Sequence, residues 1–179
     1  MALRPIHLFS SPVLRQHSDE VEEVDNVVRT LVQDLFDTMH AAEGVGLAAN
    51  QVGLARRVAV VHAGEDPPIV LINPVIVERE GKAKDEEGCL SIPDIFADVA
   101  RATRIVVETT NLDGERARQE FTDLSARAVQ HEIDHLDGVL FLDHLSPLKR
   151  RMLVKKWKKL RKGQTGYIQE VSPAAATGS

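Results

Sequence analysis

The sequence predicts an α+β fold in which antiparallel sheets pack around a central helix, with one helix before the sheets and one after. Three observations indicate this. Apolar residues recur at helical spacing near both ends of the chain. Short β-branched segments fill the middle. The intervals between those segments are mostly too short for crossover helices, which favours antiparallel pairing.

Residues 25–42 are predicted to form the first helix. Asp25 is a suitable N-cap residue, and Gly44 stands just beyond the end, where a left-handed residue often terminates a helix. The apolar positions lie at spacings of three and four, which marks one buried face. They are Val28, Leu31, Leu35 and Met39.

The middle of the chain is predicted to consist of strands. The Asp113-Gly114 pair is a strong hairpin turn signal between the last two of them. All five segments are short; the first three are β-branched, and the last two flank the Asp113-Gly114 turn. They span 57–62, 68–73, 74–80, 104–110 and 117–122.

Two further helices are predicted. One runs from about Ser125 to Leu136, with Thr122 or Asp123 as its cap and Gly138 as its terminator. The other begins after Ser146-Pro147 and continues to about residue 162.

Composition predicts one domain over residues 1–165 and a disordered tail over 166–179. The chain has 179 residues, 43% of them hydrophobic and 27% charged, which suffices for a buried core. The net charge of -5 does not suit nucleic-acid binding by the whole chain, and a single cysteine excludes an intrachain disulfide. With no signal-peptide core and no apolar run of about 18 residues, we expect a cytoplasmic protein that does not cross a membrane.

The sharpest motif is His131-Glu132-Ile133-Asp134-His135. Two histidines four residues apart on a helix lie one turn apart, so both rings can reach one metal ion. Glu132 lies between them but off their face, beside the position of a metal-bound water.

The helix that carries this motif needs cover on both sides. The two histidines and the small Ala128 lie opposite an apolar face, so we expect a central helix whose metal side is roofed by another segment. The apolar face consists of Ala126, Val129, Ile133 and Leu136.

A catalytic site usually needs a third protein ligand. Cys89 is the soft ligand available, and Gly88 before it lets the backbone approach closely. A lone cysteine is more often a small buried hydrophobe, and His144 and Glu170 also stand downstream of the motif. Because two histidines leave a metal site without its third protein ligand, we favour Cys89 as that ligand.

Three ordered motifs resemble those of the peptide deformylases. They are residues 44–51 (GVGLAANQ), residues 87–91 (EGCLS) and residues 130–135 (QHEIDH). The likeness covers roughly residues 4–165. It implies hydrolytic removal of the formyl group from the N-terminal formyl-methionine of nascent polypeptides, with release of formate.

The resemblance also implies roles for individual residues. Glu132 transfers protons, while Gln51 and the Leu90 backbone N–H form an oxyanion hole. Glu87 supports the ligands, and we expect it to pair with Arg101. The substrate-binding segment is Gly44, Val45 and Gly46, with Gly46 allowing the peptide to lie against the backbone.

The resemblance implies Fe²⁺ as the metal, with Zn²⁺, Ni²⁺ or Co²⁺ able to occupy the site. The ligand set by itself suits Zn²⁺ at least as well. One departure from the family pattern is Phe96-Ala97, where many members carry an arginine. That segment is expected to border the substrate cleft.

Nine basic residues crowd positions 149–162. They form either a solvated helix face or a surface for ribosomal RNA near the exit tunnel. An apolar stripe through Leu148, Met152 and Leu153 is expected to dock the early part of this helix and leave its distal part free.

Two alternatives to a deformylase remain open at this point. One is an H-E-x-x-H peptidase, and the other is a structural metal or binding protein. Glu132 disfavours a structural metal site, because a closed site needs a fourth ligand and no base.

Overall fold

A computed structural model describes residues 2–173, and residues 1 and 174–179 lie outside the description. It contains the three expected helices: α1 (Asn26–Ala41), α2 (Asp123–Leu136) and α3 (Pro147–Leu160). None of the helices in the described region is long and apolar enough to cross a membrane. The α+β fold class is confirmed.

The strands of the described region pair antiparallel throughout. In chain order they are β1 (Ile6–His7), β2 (Gly46–Ala48), β3 (Val58–Val61), β4 (Ile69–Ile72), β5 (Val75–Glu80), β6 (Ala83–Cys89), β7 (Ile92–Arg101), β8 (Arg104–Thr110), β9 (Arg116–Thr122) and β10 (Ile168–Gln169). The five predicted strands correspond to β3, β4, β5, β8 and β9, while β1, β2, β6, β7 and β10 were not predicted.

Four small sheets result from this pairing. Two have three strands each, in the orders β2-β3-β4 and β5-β8-β9, and the turn at Asp113-Gly114 connects β8 to β9 as expected. The long strands β6 and β7 form a hairpin of their own, and β1 pairs with β10. Strand β2 is therefore an edge strand with one side unpaired.

Helix α2 lies between the sheets, as its two-sided pattern predicted. Its apolar residues belong to one core cluster with side chains of β3, β4 and β8, such as Ala59, Leu71 and Val107. The opposite side faces the β6–β7 hairpin, to which Arg127 donates hydrogen bonds at the Val99 and Ala83 carbonyls. The hairpin is the roof that the sequence required.

The end of α1 differs from the prediction in one residue. Asp25 caps the start, accepting a hydrogen bond from the Val28 N–H at 3.0 Å. At the other end the left-handed residue is Glu43 (φ 59°), and Gly44 follows it. Gly44 instead lies against Leu90, whose side chain would have to shift to admit a Cβ, since that Cβ would lie 2.6 Å from Leu90 Cδ1.

Helix α3 docks differently from the expectation. Leu148 and Met152 are 65% and 63% exposed, so two of the three residues of the predicted apolar stripe do not dock on the body. Docking occurs further along, where Trp157 is only 6% exposed and meets the Phe9 ring edge-on at 6.2 Å. Leu153 packs against the same cluster. The prediction that the distal half is free was wrong, because Trp157 is part of the core.

The chain returns to its beginning after α3. Ile168 and Gln169 pair with His7 and Ile6, and the Leu8 N–H donates to the Tyr167 carbonyl at 2.6 Å. The predicted division into a domain over 1–165 and a disordered tail over 166–179 stays a prediction, and residues 174–179 of that tail lie outside the described residues.

We expect Trp157→Ala to lower the free energy of unfolding by about 3–5 kcal/mol, since it removes a large buried aromatic side chain. Met152→Ala, in the same helix, should change it by less than about 0.5 kcal/mol, because Met152 is mostly exposed. Urea denaturation of both variants measures this difference. Similar losses in the two would mean that α3 does not dock through Trp157.

Candidate metal centre

Two elements bring three ligand atoms together. Cys89 stands at the end of β6, and His131 and His135 lie one turn apart on α2. Cys89 Sγ is 3.3 Å from His135 Nε2, which is 3.1 Å from His131 Nε2, and all three ligand atoms lie within 4.8 Å of one another. Two nitrogens bound tetrahedrally at ~2.0 Å to one ion are about 3.3 Å apart. The spacing therefore suits a single metal ion.

The protonation of the two imidazoles also suits a metal. His131 Nδ1 donates to Glu87 Oε1 at 2.9 Å, so Nε2 is the ring nitrogen that faces the other ligands and binds an ion once it has lost its proton. Burial and the nearby charge of His131 lower the pKa of His135 well below its usual range, so His135 is neutral. His135 Nδ1 has no hydrogen-bond partner in the described part of the chain.

The surroundings favour positive charge at this point. Burial opposes protonation of His131, yet hydrogen bonds to Cys89 and Glu87 and the negative charges of Cys89 and Glu132 raise its pKa well above its usual range. An environment that draws a proton to buried His131 also draws a divalent cation to the same lone pair. The residues present fit a metal ion.

Glu87 is the centre of a buried ionic network. Burial alone would raise its pKa, but hydrogen bonds from Arg101 and His131 hold the pKa of Glu87 far below its usual range. Arg101 Nε and Nη2 donate to the two oxygens of Glu87 at 2.8 and 2.9 Å. The expected Glu87–Arg101 pair is confirmed. Arg127 also donates to Glu87, at 2.7 Å, and the sequence analysis did not identify it.

The Asp134 carboxylate extends this network toward the surface. It accepts from Arg101 Nη1 at 2.6 Å and lies 2.7 Å from His144 Nε2. His144 is therefore engaged away from the three ligands, and Glu170 lies at the cavity wall rather than among them. The geometry favours Cys89 as the third ligand over both.

Glu132 lies beside the ligands with a free oxygen. Its Oε2 has no hydrogen-bond partner among the residues that the structure describes, and burial raises the pKa of Glu132 to about 7. Such a carboxyl can take up and release a proton near neutral pH. A Cβ at Gly46 would lie 2.7 Å from Glu132 Oε1, so Gly46 makes space for this side chain.

The side chain of Gln51 is fixed at both ends. Its Oε1 accepts from the Ala48 N–H at 2.9 Å, and its Nε2 donates to Ser91 Oγ at 3.0 Å and lies 3.6 Å from Cys89 Sγ. One N–H of the amide is therefore bound to Ser91, and the other points toward Cys89. Leu90 follows Cys89 directly at the turn of the hairpin.

A cavity of about 750 Å³ opens onto these groups. Its wall includes the segment Gly44, Val45 and Gly46, together with Gln51, Cys89, Leu90, His131 and Glu132. Phe96, 56% exposed, also lines it and lies over Gly88, where a Cβ would be 2.6 Å from the ring. Residues 169–172 of the returning chain complete the wall, which the sequence analysis did not anticipate.

Comparisons with known proteins agree on one family. The family model described as Polypeptide deformylase matches residues 3–151. The peptide deformylase of Acidobacterium capsulatum is 45% identical over 166 residues, covering 90% of this chain and 98% of the relative. Peptide deformylase 2 of Xanthomonas campestris is 48% identical over 167 residues, covering 90% and 98%.

Solved structures give the same result. A peptide deformylase from Ehrlichia chaffeensis in complex with actinonin superposes with a TM-score of 0.87 at 40% identity, covering 90% of this chain and 99% of the other. A peptide deformylase from Legionella pneumophila gives 0.84 at 41% identity, covering 89% and 96%.

We expect Cys89→Ala to lose most of the tightly bound metal, because two imidazoles alone leave the ion without its thiolate ligand. His40→Ala removes a histidine of the His40–His62 pair, outside the ligand cluster, and should retain the metal. Elemental analysis of both purified variants checks this. Full metal content in Cys89→Ala would rule out the thiolate as a ligand.

Proposed function

Because this chain belongs to the peptide deformylase family, we propose that Cys89, His131 and His135 hold one divalent metal ion for its reaction. The reaction is hydrolytic removal of the formyl group from the N-terminal formyl-methionine of nascent polypeptides, and its products are formate and a free N-terminus. Family membership decides against the two alternatives that the sequence left open, an H-E-x-x-H peptidase and a structural metal protein.

One observation carries the assignment of residues. The three ligand atoms lie within 4.8 Å of one another. Glu132 lines the cavity that reaches Cys89 and His131, and its buried Oε2 has no hydrogen-bond partner in the described region. A closed structural site has no use for an unpartnered carboxylate, whereas a hydrolytic site requires a base.

Glu132 acts as the base and then as the acid. A bound divalent ion would lower the pKa of its water to near neutral pH, and its positive charge would polarise the formyl carbonyl oxygen. Glu132 takes the proton of the attacking water and later delivers it to the leaving amine of the methionine. Its raised pKa suits both steps, because the group exchanges protons readily near neutral pH.

Gln51 and Leu90 stabilise the oxyanion. The Gln51 Nε2 group, held by Ser91 and facing Cys89, and the Leu90 backbone N–H are the donors that we assign to the developing negative charge. Removing one such donor costs roughly 3–4 kcal/mol of barrier in other enzymes.

The segment Gly44, Val45 and Gly46 receives the peptide. It lines the cavity, and β2, which begins at Gly46, is the edge strand of its sheet. An extended peptide can add to an open strand edge through main-chain hydrogen bonds. Gly46 has a second role, since only a residue without Cβ leaves room for Glu132.

Fe²⁺ is the ion that we assign to the centre, with Zn²⁺, Ni²⁺ and Co²⁺ able to replace it. A thiolate with two imidazoles and an open position accepts all four ions, so the assignment of iron comes from the family resemblance and not from the ligands. We also propose that the protein works in the cytoplasm, where nascent polypeptides are made and thiols stay reduced.

The basic face of α3 is proposed to bind ribosomal RNA. The basic side chains on its solvent side, including Arg151, Lys155 and Lys159, are exposed. Because Trp157 belongs to the core, this contact must be made by the docked helix and not by a free end.

Formate release from a formyl-Met peptide, compared with cleavage of internal peptide bonds, tests the activity. The wild-type chain loaded with Fe²⁺ should release formate and leave unformylated peptides intact. Cleavage of internal bonds without formate release would identify a peptidase.

We expect Glu132→Gln to keep the metal and the fold but to lose about 10²–10⁴-fold in turnover, because the amide cannot accept the proton. Glu86→Gln is the matched control, since Glu86 is an exposed carboxylate at the wall of the same cavity. Steady-state formate release gives both rates. A near wild-type rate in Glu132→Gln would mean that another group is the base.

Replacement of Arg151, Lys155 and Lys159 by Gln should reduce salt-sensitive co-sedimentation with ribosomes while leaving hydrolysis of a short formyl-peptide unchanged. When log K is plotted against the logarithm of the salt concentration, each lost phosphate contact should make the slope shallower by about 0.7–0.9. A control with the same charge change replaces exposed Arg79, Lys82 and Lys84. Equal weakening by both triples would show that only net charge matters.

A further inference from the structure

We propose that Arg127 is a positioning residue of the metal centre, which fixes Glu87 between α2 and the β6–β7 hairpin and thereby sets the distance of Cys89 Sγ from the two histidines. The proposal rests on the metal site assigned above and extends it to a residue outside the three motifs.

Arg127 is buried at the cavity wall, and both of its terminal nitrogens donate hydrogen bonds. It is 8% exposed, and its guanidinium donates to Glu87 Oε2 at 2.7 Å, to the Val99 carbonyl at 2.7 Å and to the Ala83 carbonyl at 2.8 Å. Ala83 lies in β6 and Val99 lies in β7. One side chain of α2 therefore binds the main chain of both strands of the hairpin and also the Glu87 carboxylate.

The helix places Arg127 next to His131, the metal ligand to which Glu87 is hydrogen-bonded. Arg127 and His131 are four residues apart on α2, so both side chains leave the same face of the helix. Both end on Glu87, with His131 at Oε1 and Arg127 at Oε2. Glu87 in turn stands two residues before Cys89 on β6.

The four donors to Glu87 divide its two oxygens evenly. Oε2 accepts from Arg101 Nε and Arg127 Nη1, while Oε1 accepts from Arg101 Nη2 and His131 Nδ1. Arg101 comes from β7 and so binds Glu87 within the hairpin. The direct links from Glu87 to α2 are Arg127 and His131, and without Arg127 the carboxylate can turn about its Arg101 pair and change the orientation of His131.

A lysine at this position tests the geometry without removing the charge. An ammonium group cannot bind Glu87 and the two carbonyls in the planar arrangement of a guanidinium. Supporting residues around metal ligands typically contribute 10–100-fold to metal affinity. We therefore expect Arg127→Lys to release the metal about 10–100 times faster than the wild type.

The experiment uses the full chain loaded with Co²⁺. Excess chelator is added, and the loss of the thiolate-to-Co²⁺ absorption band gives the release rate and reports on the Cys89 bond directly. Arg104→Lys is the control, because Arg104 also donates to a carboxylate, Glu120 at 2.7 Å, but lies in the sheet of β5, β8 and β9. Its release rate should stay within about twofold of the wild type.

Glu87→Gln and the double variant Glu87→Gln, Arg127→Lys test the route of the effect. If Arg127 acts through Glu87, the double variant should release Co²⁺ at about the rate of Glu87→Gln alone. Independent, multiplying effects would overturn the proposal. The proposal would also be overturned if Arg127→Lys kept the wild-type release rate and absorption band, even if its melting temperature were lowered. A change in Arg127→Lys that is confined to KM would overturn it as well.

The outcomes also separate this inference from the function itself. A wild-type chain that releases no formate contradicts the proposed function. Wild-type formate release together with unchanged Co²⁺ release in Arg127→Lys contradicts the role of Arg127 alone.

Discussion

The Glu87 carboxylate is a charge that is only 7% exposed and therefore poorly solvated, and the arrangement around it follows from that constraint. Such a group is tolerable only when its oxygens are fully hydrogen-bonded, and here two arginines and one histidine supply the donors. Removing one partner of a buried ion pair commonly costs about 3–5 kcal/mol. The β6–β7 hairpin, which carries Cys89, and α2, which carries the two histidines, both donate hydrogen bonds to Glu87. These bonds therefore fix the position of the hairpin relative to the helix.

The fold could be predicted where hydrophobic periodicity was strong. The three helices have clear periodic faces or cap signals. Four of the five predicted strands are rich in β-branched residues, and β9 was predicted from the Asp113-Gly114 turn before it. The β6–β7 hairpin was missed because β6 is mostly charged, and a charged strand on solvent carries no apolar alternation. In β7 the alternation was available, since Ile95, Ala97 and Val99 are buried at every second position. The docking of α3 through Trp157 depends on the body beneath it, which helix periodicity does not specify.

The cluster of Cys89, His131 and His135 could be predicted because the spacing of two histidines on a helix is itself geometric, and a single cysteine left one thiol to complete the set. Arg127 could not be recognised in the same way, since an arginine between alanines on a helix is ordinarily a solvated side chain. Its role arises only when the hairpin closes over α2 and buries it. Gly46 shows a related limit. The need for a glycine was predicted, but the contact with Glu132 was not, because it forms only in the tertiary structure.

The pairing of β1 with β10 has a consequence for the order in which the molecule forms. His7 meets Ile168, a residue that is synthesised roughly 160 positions later. At ~5–20 residues per second, the first strand waits roughly ten to thirty seconds for its partner to be translated. Residues 169–172, which close one wall of the cavity, emerge later still. Each newly made copy can therefore complete the outline of its substrate cavity only after these late residues have been synthesised and β10 has paired with the first strand.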